Sequence, residues 1–405
     1  MSELPDDLLV KILSFLPTKS TVSTSILSKR WEFLWMWLPK LEYDEYYEIT
    51  GPKSSWLRYE EFIDKNLPLH RAPVIESLLL RFCYIRLSQP EKIKQWVGIA
   101  VSRLVRELSI SYFCFNRKVD DVLSLPSSLY TCNSLMTLKL QGNNILVDVP
   151  QVVCLPSLKT LKLQGFAILN EDSLRLLLSH CPVLEDLCIE LDDEDGKVRA
   201  LVVNVPSLQR LSLEIDSERS SSDGYVIVTP CLKYLKIVDY REFPSYMIEP
   251  MPKLEEADIE VTEDIETILE PITSVRRLSL NPWFSCAGEF AYPVGIVFSQ
   301  LEHLKLCICS ENWSTLLLWL LGISPKLRVL NVYVDGDPTF EKFDPVIWKN
   351  KQSSAPECLL SSLEIFEFRG FMGTQEERDF LSFFFKHASC LKSTSIIDRK
   401  TQLGI

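Results

Sequence analysis

The sequence contains few of the residues and motifs on which most catalysis depends. Among 405 residues there are only four histidines, and neither a glycine-rich phosphate loop of the usual form nor a G-x-S-x-G turn occurs. The main enzyme signatures are therefore missing. We expect a chain without catalytic residues and without a cofactor.

Long apolar runs and a secretion signal are also absent. The longest apolar runs, such as 316–321, are far too short to cross a bilayer, and the first residues are acidic rather than basic. The 12 cysteines are scattered singly, as expected for reduced, mostly buried thiols. These features predict a protein of the cytosol, the nucleus or both, without a membrane partner.

Positive charge is scarce as well. The formal net charge is −12 and the sequence pI is near 5.1, with no local basic stripe, which argues against a nucleic-acid partner. Hydrophobic residues make up 46% and charged residues 24%, a composition typical of a chain that is folded throughout. Its length predicts several domains or a repeat array.

The first 40 residues predict three short helices. Apolar residues recur at helical spacing between Pro5, which suits a first helical turn, and Pro17, which ends the helix. A second helix capped by Thr18 or Ser20 and a third capped by Ser28 follow. So small a unit has too little core to be stable alone and is typical of a partner-binding segment. The alternative is that its apolar residues pack against the rest of the chain.

The segment LPDDLLVKILSFLPTKSTVSTSILSKRWEFLW, from Leu4 to Trp35, resembles the F-box of plant F-box proteins nearly position for position. The resemblance implies a trihelical hook that inserts into the Skp adaptor of a Skp, cullin and F-box ubiquitin ligase. The adaptor-binding residues that it implies are Leu4, Pro5, Leu8, Ile12, Leu13, Leu16, Pro17, Leu27, Ser28, Trp31, Leu34 and Trp35. Because Met1 is only three residues before Leu4, we expect a minimal preceding arm and somewhat reduced adaptor affinity.

An L-x-x-L-x-L pattern recurs beyond Tyr43. Its clearest copies begin at Leu135, Leu158, Leu184, Leu208 and Leu232, in steps of 23, 26, 24 and 24 residues, and weaker copies begin at Ile75, Val105, Leu254, Val275, Leu301 and Leu327. This period is that of leucine-rich repeats, each a strand with inward leucines that returns through a helix or irregular turn. The clearest predicted return is a helix capped by Asn170 that ends at Cys181 and Pro182. The segment SLRLLLSHCPVLEDL also resembles the repeat of plant F-box proteins.

Alternation along these strands predicts which side chains lie on the outer face of the sheet. The predicted substrate-binding residues on this face are Lys139, Lys162, Asp186, Arg210, Lys236, Asp258, Arg277, His303 and Lys305. The alternative is that these side chains are merely solvated.

The repeat spacing breaks at a polar stretch, 349–356, which is expected to be a linker or long loop. A strand through Leu363, Phe366 and Phe368, a helix over 376–388 and a strand over 391–396 are predicted to follow as a βαβ-like cap. The inward residues predicted for this helix are Phe380, Leu381, Phe384 and Phe385. The cap resembles the FBD module of plant F-box proteins, with an expected shortened last strand.

The predicted fold is thus an α+β or α/β solenoid with three parts. They are a three-helix F-box (1–42), a leucine-rich-repeat arc (43–350) and an FBD-like cap (355–405). The sequence offers two other candidate chemistries: His180 beside Cys181 suggests a nucleophile pair, and His303, Cys307 and Cys309 suggest a zinc site. Neither is favoured, because adjacent helical residues diverge and no paired C-x-x-C occurs.

The F-box resemblance implies a function through partners rather than through catalysis. The chain is expected to be the non-catalytic, substrate-recognition subunit of a Skp-cullin-F-box ubiquitin ligase. It would bind a Skp-family adaptor, through it a cullin and a RING subunit, and a protein substrate on its repeats. The alternative is an adaptor-binding repeat protein or small-ligand receptor without a role in ubiquitin transfer.

Overall fold

The computed structural model describes residues 4–44, 54–84, 90–114, 122–143, 145–165, 167–168, 171–192, 201–216, 224–241, 245–262, 265–282, 295–308, 313–334 and 355–398. The chain forms two compact units, residues 1–192 and 193–405. The division falls within the predicted repeat region. Within the described ranges, no helix is both long enough and apolar enough to span a membrane.

The first unit is built on one parallel sheet. Its helices are α1 (Asp6–Leu13), α2 (Thr18–Ser23), α3 (Ser54–Asn66), α4 (Pro90–Ser102) and α5 (Glu171–Ser179). Its strands are β1 (Lys40–Asp44), β2 (Ser77–Tyr84), β3 (Glu107–Cys114), β4 (Leu123–Ser124), β5 (Thr137–Gln141), β6 (Ile145–Val147), β7 (Thr160–Gln164), β8 (Ala167–Ile168) and β9 (Asp186–Asp192). The sheet order is β1-β2-β3-β5-β7-β9, and β4, β6 and β8 form a small second sheet.

Stacked leucines make the core of this unit. The inward pair of β5, Leu138 and Leu140, lies opposite Leu161 and Leu163 of β7, and these four side chains are at most 2% exposed. Each parallel pairing needs a crossover, which the 23 to 26 residues of a repeat supply. Helix α5 confirms the predicted return, while its predicted cap, Asn170, lies outside the described residues.

The N-terminal segment, residues 4–38, differs from the predicted three helices. Helices α1 and α2 are present, but residues 28–37 form turns and a 3-10 helix, Leu34–Trp37. The amide of Trp31 bonds to the carbonyl of Ser28, an i to i+3 contact, so the third α-helix is not confirmed. Bulky aromatic residues crowd this stretch and disfavour a regular helix. Thr18 does not cap α2; its Oγ1 accepts a hydrogen bond from the Glu42 amide in β1 at 2.8 Å.

The second unit continues the repeat pattern. Its helices are α6 (Ile265–Leu269), α7 (Trp313–Gly322), α8 (Glu357–Ser361) and α9 (Gln375–His387). Its strands are β10 (Leu201–Asn204), β11 (Arg210–Asp216), β12 (Tyr225–Val228), β13 (Tyr234–Asp239), β14 (Tyr246–Ile248), β15 (Glu256–Val261), β16 (Arg277–Pro282), β17 (His303–Cys307), β18 (Val329–Tyr333), β19 (Ile365–Phe371) and β20 (Ser393–Asp398). The sheet order is β11-β13-β15-β16-β17-β18-β19-β20, all parallel, and β10, β12 and β14 form a small second sheet.

A buried ion pair joins the two sheets of the second unit. Arg241 donates to Asp239 through Nε at 2.9 Å and Nη2 at 2.7 Å, and both side chains are at most 2% exposed. The hydroxyl of Tyr246, in β14, donates to the same carboxylate at 3.1 Å. The network therefore ties β13 of the main sheet to β14 of the small one.

The C-terminal cap has the predicted strand, helix and strand as β19, α9 and β20. Thr374 and Glu377 form a capping box at the start of α9, which explains its sharp beginning. Phe380, Leu381 and Phe384 are buried as predicted, but Phe385 is 45% exposed, so its inward assignment is wrong. Its ring still makes an edge-to-face contact with Phe366 of β19, at 6.2 Å between ring centres, while its other side faces the solvent. The predicted linker lies outside the described residues over 349–354.

Candidate functional site

Helix α1 carries two apolar stripes that face in different directions. Leu9 and Leu13 point inward and are at most 1% exposed, whereas Leu8 and Ile12, one position earlier in each turn, are 46% and 45% exposed. Residues four apart share a helix face, so each pair makes one stripe. The outer stripe is prolonged by Leu16, which is 46% exposed. Leu8, Ile12 and Leu16 are called the apolar ridge below.

The N-terminal segment is fixed to the first repeats by backbone hydrogen bonds. The carbonyl of Met36 accepts from the amides of Arg71 and Ala72, and the carbonyl of Pro39 accepts from those of Glu76 and Ser77, at 2.7 to 3.3 Å. Strand β1 then joins the sheet beside β2. The ridge therefore stands on a rigid base within the first unit.

Two polar contacts hold the segment together internally. Arg30 binds the carboxylate of Asp6 through Nε at 3.0 Å and Nη2 at 2.7 Å, and its guanidinium also meets the carbonyl of Leu4. Buried Thr21 donates to the carbonyl of Leu13 at 3.2 Å. The start of α1 is thereby tied to the turns after α2, and its end to α2.

The twelve residues implied for adaptor binding do not all reach the surface. Those that are exposed are Pro5, Leu8, Ile12, Leu16, Pro17, Leu27 and Ser28, and those that are half-buried are Leu4 and Trp31. Leu13, Leu34 and Trp35 are at most 5% exposed, so Leu13 does not face outward, and a role of these three in adaptor binding stays a prediction. They are covered because α1 packs on the 3-10 helix Leu34–Trp37.

Four exposed apolar residues of this segment were missed in the predicted set or given no role there. They are Phe15, Ile26, Phe33 and Trp37, which are 82%, 86%, 48% and 48% exposed. Phe15 lies three residues after Ile12, so the helical spacing of the ridge was a signal that pointed to it. Large exposed apolar side chains that lie close together in the chain are typical of an interaction site.

The outer face of the first unit brings two predicted substrate-binding residues together. Lys139 in β5 is the register partner of Lys162 in β7, and neither has an ion pair or hydrogen bond within the described ranges. The third predicted residue of this unit, Asp186 in β9, lies opposite Thr160 and is half-buried. The two lysine side chains are thus adjacent and unneutralised.

The corresponding face of the second unit is largely paired. Lys236 lies 3.1 Å from Glu214, and Arg277 binds Glu256 at 2.8 and 3.0 Å. Although burial alone would lower it, the pKa of Lys236 is raised by the hydrogen bond and charge of Glu214 and by Asp258. Such contacts satisfy the cations within the chain.

Two more cations of this face lie over aromatic rings. Arg210 lies 4.5 Å from the ring centre of Tyr234, and Lys305 lies 4.6 Å from that of Tyr333. His303 is exposed beside Arg277 in the register, and Asp258 lies opposite Lys236. All six residues predicted on this face therefore lie on its strands as expected.

The two other candidate chemistries receive no support from the geometry. Cys181 is 1% exposed, its thiol donates to the carbonyl of Leu177, and burial raises its pKa to about 12. His180 is exposed and bonds instead to Leu176 and Ser179, so the two side chains diverge. Cys309 of the candidate zinc site lies outside the described residues, and the described ones contain no cluster of three metal-binding side chains.

Three family profiles match successive parts of the chain. Residues 1–43 match the F-box domain. Residues 93–259 match the profile described as FBD-associated F-box protein At5g56370, LRR repeats. Residues 351–396 match FBD. The apolar ridge thus lies in the part that matches the F-box domain, and Lys139 and Lys162 lie in the part that matches the repeats.

Known proteins of Arabidopsis thaliana are similar over nearly the whole chain. The putative FBD-associated F-box protein At5g56700 is 62% identical over 401 residues, covering 98% of both chains. The FBD-associated F-box protein At5g60610 is 56% identical, covering 98% of this chain and 99% of the relative. The putative FBD-associated F-box protein At5g56690 is 57% identical with the same coverage.

Proposed function

The chain belongs to the family of FBD-associated F-box proteins, and on this basis we propose that it is a substrate-recognition subunit of a Skp-cullin-F-box ubiquitin ligase. It would bind a Skp-family adaptor through the N-terminal segment and, through the adaptor, a cullin and a RING subunit. A protein substrate would bind the outer faces of the repeat sheets. The chain itself would contribute no catalytic residue.

The observation that carries this proposal is the apolar ridge. Three aliphatic side chains about half exposed on one short stretch, with Leu27 at 65% nearby in the sequence, are costly to leave in water. They lie in the part of the chain that matches the F-box domain. Docking onto another polypeptide would remove this surface from water, while the inner stripe holds α1 in place.

The proposed mechanism is tethering. A substrate held close to the ubiquitin-loaded enzyme experiences an effective concentration on the order of millimolar, so modest substrate affinity is sufficient. Because β1 continues directly from the N-terminal segment into the sheet, no flexible linker separates the ridge from the first repeats. We retain residues 1–42, 43–350 and 355–405 as the proposed F-box, repeat and cap boundaries.

The direct test is co-purification with the adaptor. We expect the double variant Leu8→Ala with Trp31→Ala to lose the adaptor, while circular dichroism shows the repeats still folded. A matched control, Leu69→Ala with Val152→Ala, also truncates two exposed apolar residues of the first unit, 52% and 70% exposed, and should retain it. An unchanged pull-down by the first variant would refute the assignment.

The same preparation separates the ligase role from the alternatives. A cullin should follow the adaptor if the chain serves a ligase, and should be missing if it is an adaptor-binding protein or ligand receptor of another kind. We further propose that the protein resides in the cytosol, the nucleus or both. The eight free thiols in the described part of the chain are compatible with these reducing compartments. Fluorescence imaging of the tagged full chain tests this.

A further inference from the structure

We propose that Lys139 and Lys162 form an anion-binding pair that receives an acidic segment of the protein substrate. This inference rests on the proposed function, since it names the chemical class of substrate that the first unit selects. The group recognised is a carboxylate or a phosphoryl group on a peptide. It would bridge the two ammonium groups on the outer face of the sheet.

The register of the sheet places the two lysines side by side. Lys139 and Lys162 are Cα partners on adjacent parallel strands, which lie about 4.8 Å apart. Like charges directly opposite each other on a sheet are destabilising. An anion between them would replace this repulsion by two attractions.

The pair is not neutralised by its surroundings. By register, the carboxylates of Glu107, Asp186 and Glu190 lie two residues along the strands from the nearer lysine, and none of them forms an ion pair with either. Glu190 instead accepts a hydrogen bond from Gln164 Nε2 at 2.7 Å. Both ammonium groups therefore remain available within the described part of the unit.

In the second unit, cationic side chains on the outer face of the sheet have partners within the chain. On the equivalent face, Lys236 and Arg277 each bind a carboxylate of the preceding strand. Arg210 and Lys305 each lie over a tyrosine ring of the following strand. An adjacent pair of lysines without such partners is therefore a departure from the pattern of the same sheet architecture.

The lysine pair also stands among uncharged hydrogen-bonding groups on a fixed backbone. Thr137 and Thr160 flank it on one side along the strands, and Gln141 and Gln164 on the other. Just beyond β5, the amide of Gly142 donates to the carbonyl of Gln164 at 2.9 Å. A Cβ at Gly142 would approach the carbonyl oxygen of Tyr112 in β3 to 1.8 Å, so the close approach of this residue to β3, on the other side of β5, requires glycine. The two strands are held together just beyond the pair.

The experiment uses the full chain bound to its adaptor and three fluorescein-labelled peptides on one glycine-serine background. One peptide carries a run of glutamates, one carries phosphoserines, and one is neutral. We expect anisotropy titrations to show binding of the two acidic peptides and not of the neutral one. The variant Lys139→Gln with Lys162→Gln should weaken binding about tenfold or more, because two charge-assisted contacts are lost. Higher salt should weaken the wild type in the same direction.

Two further variants keep the test independent of folding and of net charge. Lys139→Arg with Lys162→Arg should retain binding. Lys94→Gln with Lys159→Gln removes the same charge from other parts of the unit and should bind like the wild type. Equal binding by the glutamine variant of the pair, or equal loss in the charge-matched control, would overturn the proposal. So would a single-stranded DNA of similar charge that binds as well as the peptides and depends on the same lysines.

The comparison of the two acidic peptides identifies the source of the anion. Tighter binding of the phosphoserine peptide assigns the pair to phosphorylated substrates, and equal binding assigns it to acidic sequences in general. Failure here is distinct from failure of the ligase assignment. If a cullin co-purifies and no acidic peptide binds, only the lysine-pair proposal is wrong.

Discussion

Truncating Leu8 and Ile12 to alanine together should weaken adaptor binding by about 10- to 150-fold and cost less folding stability than truncation of the fully buried Leu13. Complete burial of a leucine or isoleucine side chain contributes about 1.5 to 3 kcal/mol. These two are 46% and 45% exposed, so about half of that contribution at each remains available to a partner. The sum is about 1.5 to 3 kcal/mol, and about 1.4 kcal/mol corresponds to a tenfold change in affinity.

A neighbouring residue of the same helix supplies the contrasting variant. Leu13 is 1% exposed, and truncating a buried leucine to alanine costs about 2 to 5 kcal/mol of folding stability. Leu13→Ala should therefore lower the urea midpoint, followed by tryptophan fluorescence. Isothermal titration calorimetry with purified adaptor measures the loss of affinity in both variants. Relative to the loss of folding stability, the loss of affinity should be larger for the Leu8 and Ile12 variant than for Leu13→Ala.

Two results would refute the reasoning about the two stripes. One is a Leu8→Ala, Ile12→Ala variant that binds the adaptor as tightly as the wild type. The other is the same variant losing as much unfolding free energy as Leu13→Ala, because the outer stripe would then be part of the core. The control Leu69→Ala with Val152→Ala should leave the adaptor affinity unchanged.

Two other groups make predictions about stability. Burial, and secondarily the charge of Arg103, lower the pKa of His70 from 6.5 to about 4. The contribution of neutral His70 to the free energy of unfolding should therefore be fully present above pH 6.5. It should fall by up to about 3 kcal/mol as the pH drops to 4, because the unfolded chain binds the proton more readily. His70→Gln should remove this part of the pH dependence of urea unfolding, and an identical slope in wild type and variant would contradict it. Arg241→Met leaves the Asp239 carboxylate buried without its guanidinium and should cost about 3 to 5 kcal/mol. Adding Asp239→Asn should recover part of that cost in urea unfolding; no recovery would mean that the charge is not the cause.

The repeat strands were predictable because one pattern determines both the strand and its inward face. The inward leucines of the L-x-x-L-x-L copies stack across strands, so even the weak copies at Ile75 and Val105 lead into β2 and β3. The two small sheets were not predicted. Their strands have only two to four residues, too few for a periodic signal, and they exist because successive repeats bring them together.

The orientation of α1 could not be obtained from periodicity alone. Leu8 and Leu9 begin neighbouring apolar stripes, and helical spacing does not say which stripe is covered. That choice depends on the packing of α1 against Leu34–Trp37, a contact between residues more than 20 positions apart. The adaptor-binding set implied by the resemblance to F-boxes contains the exposed Leu8 and Ile12 and also the buried Leu13.

On the outer faces of the sheets, the side on which a residue lies was predictable from the sequence, but its pairing with a neighbour was not. Alternation placed Lys139, Lys162 and Lys236 on the correct side of their strands. Whether each lysine is satisfied depends on the residue that the register places beside it, such as Glu214 beside Lys236. A single strand does not contain that information.

The ridge and the lysine pair belong to the same compact unit, and this constrains how substrate and adaptor would be arranged. Strand β1 leaves the N-terminal segment at Lys40, and β5 and β7 are the third and fourth strands beyond it in the sheet. At about 4.8 Å per strand, Lys139 and Lys162 stand roughly 14 and 19 Å across the sheet from β1. The hydrogen bonds accepted by the carbonyls of Met36 and Pro39 hold the N-terminal segment, from which this distance is counted, to the first repeats. An acidic segment bound at the lysine pair would therefore lie on a hydrogen-bonded sheet. The sheet would keep the distance between this segment and the adaptor constant, whereas a flexible linker would let that distance vary.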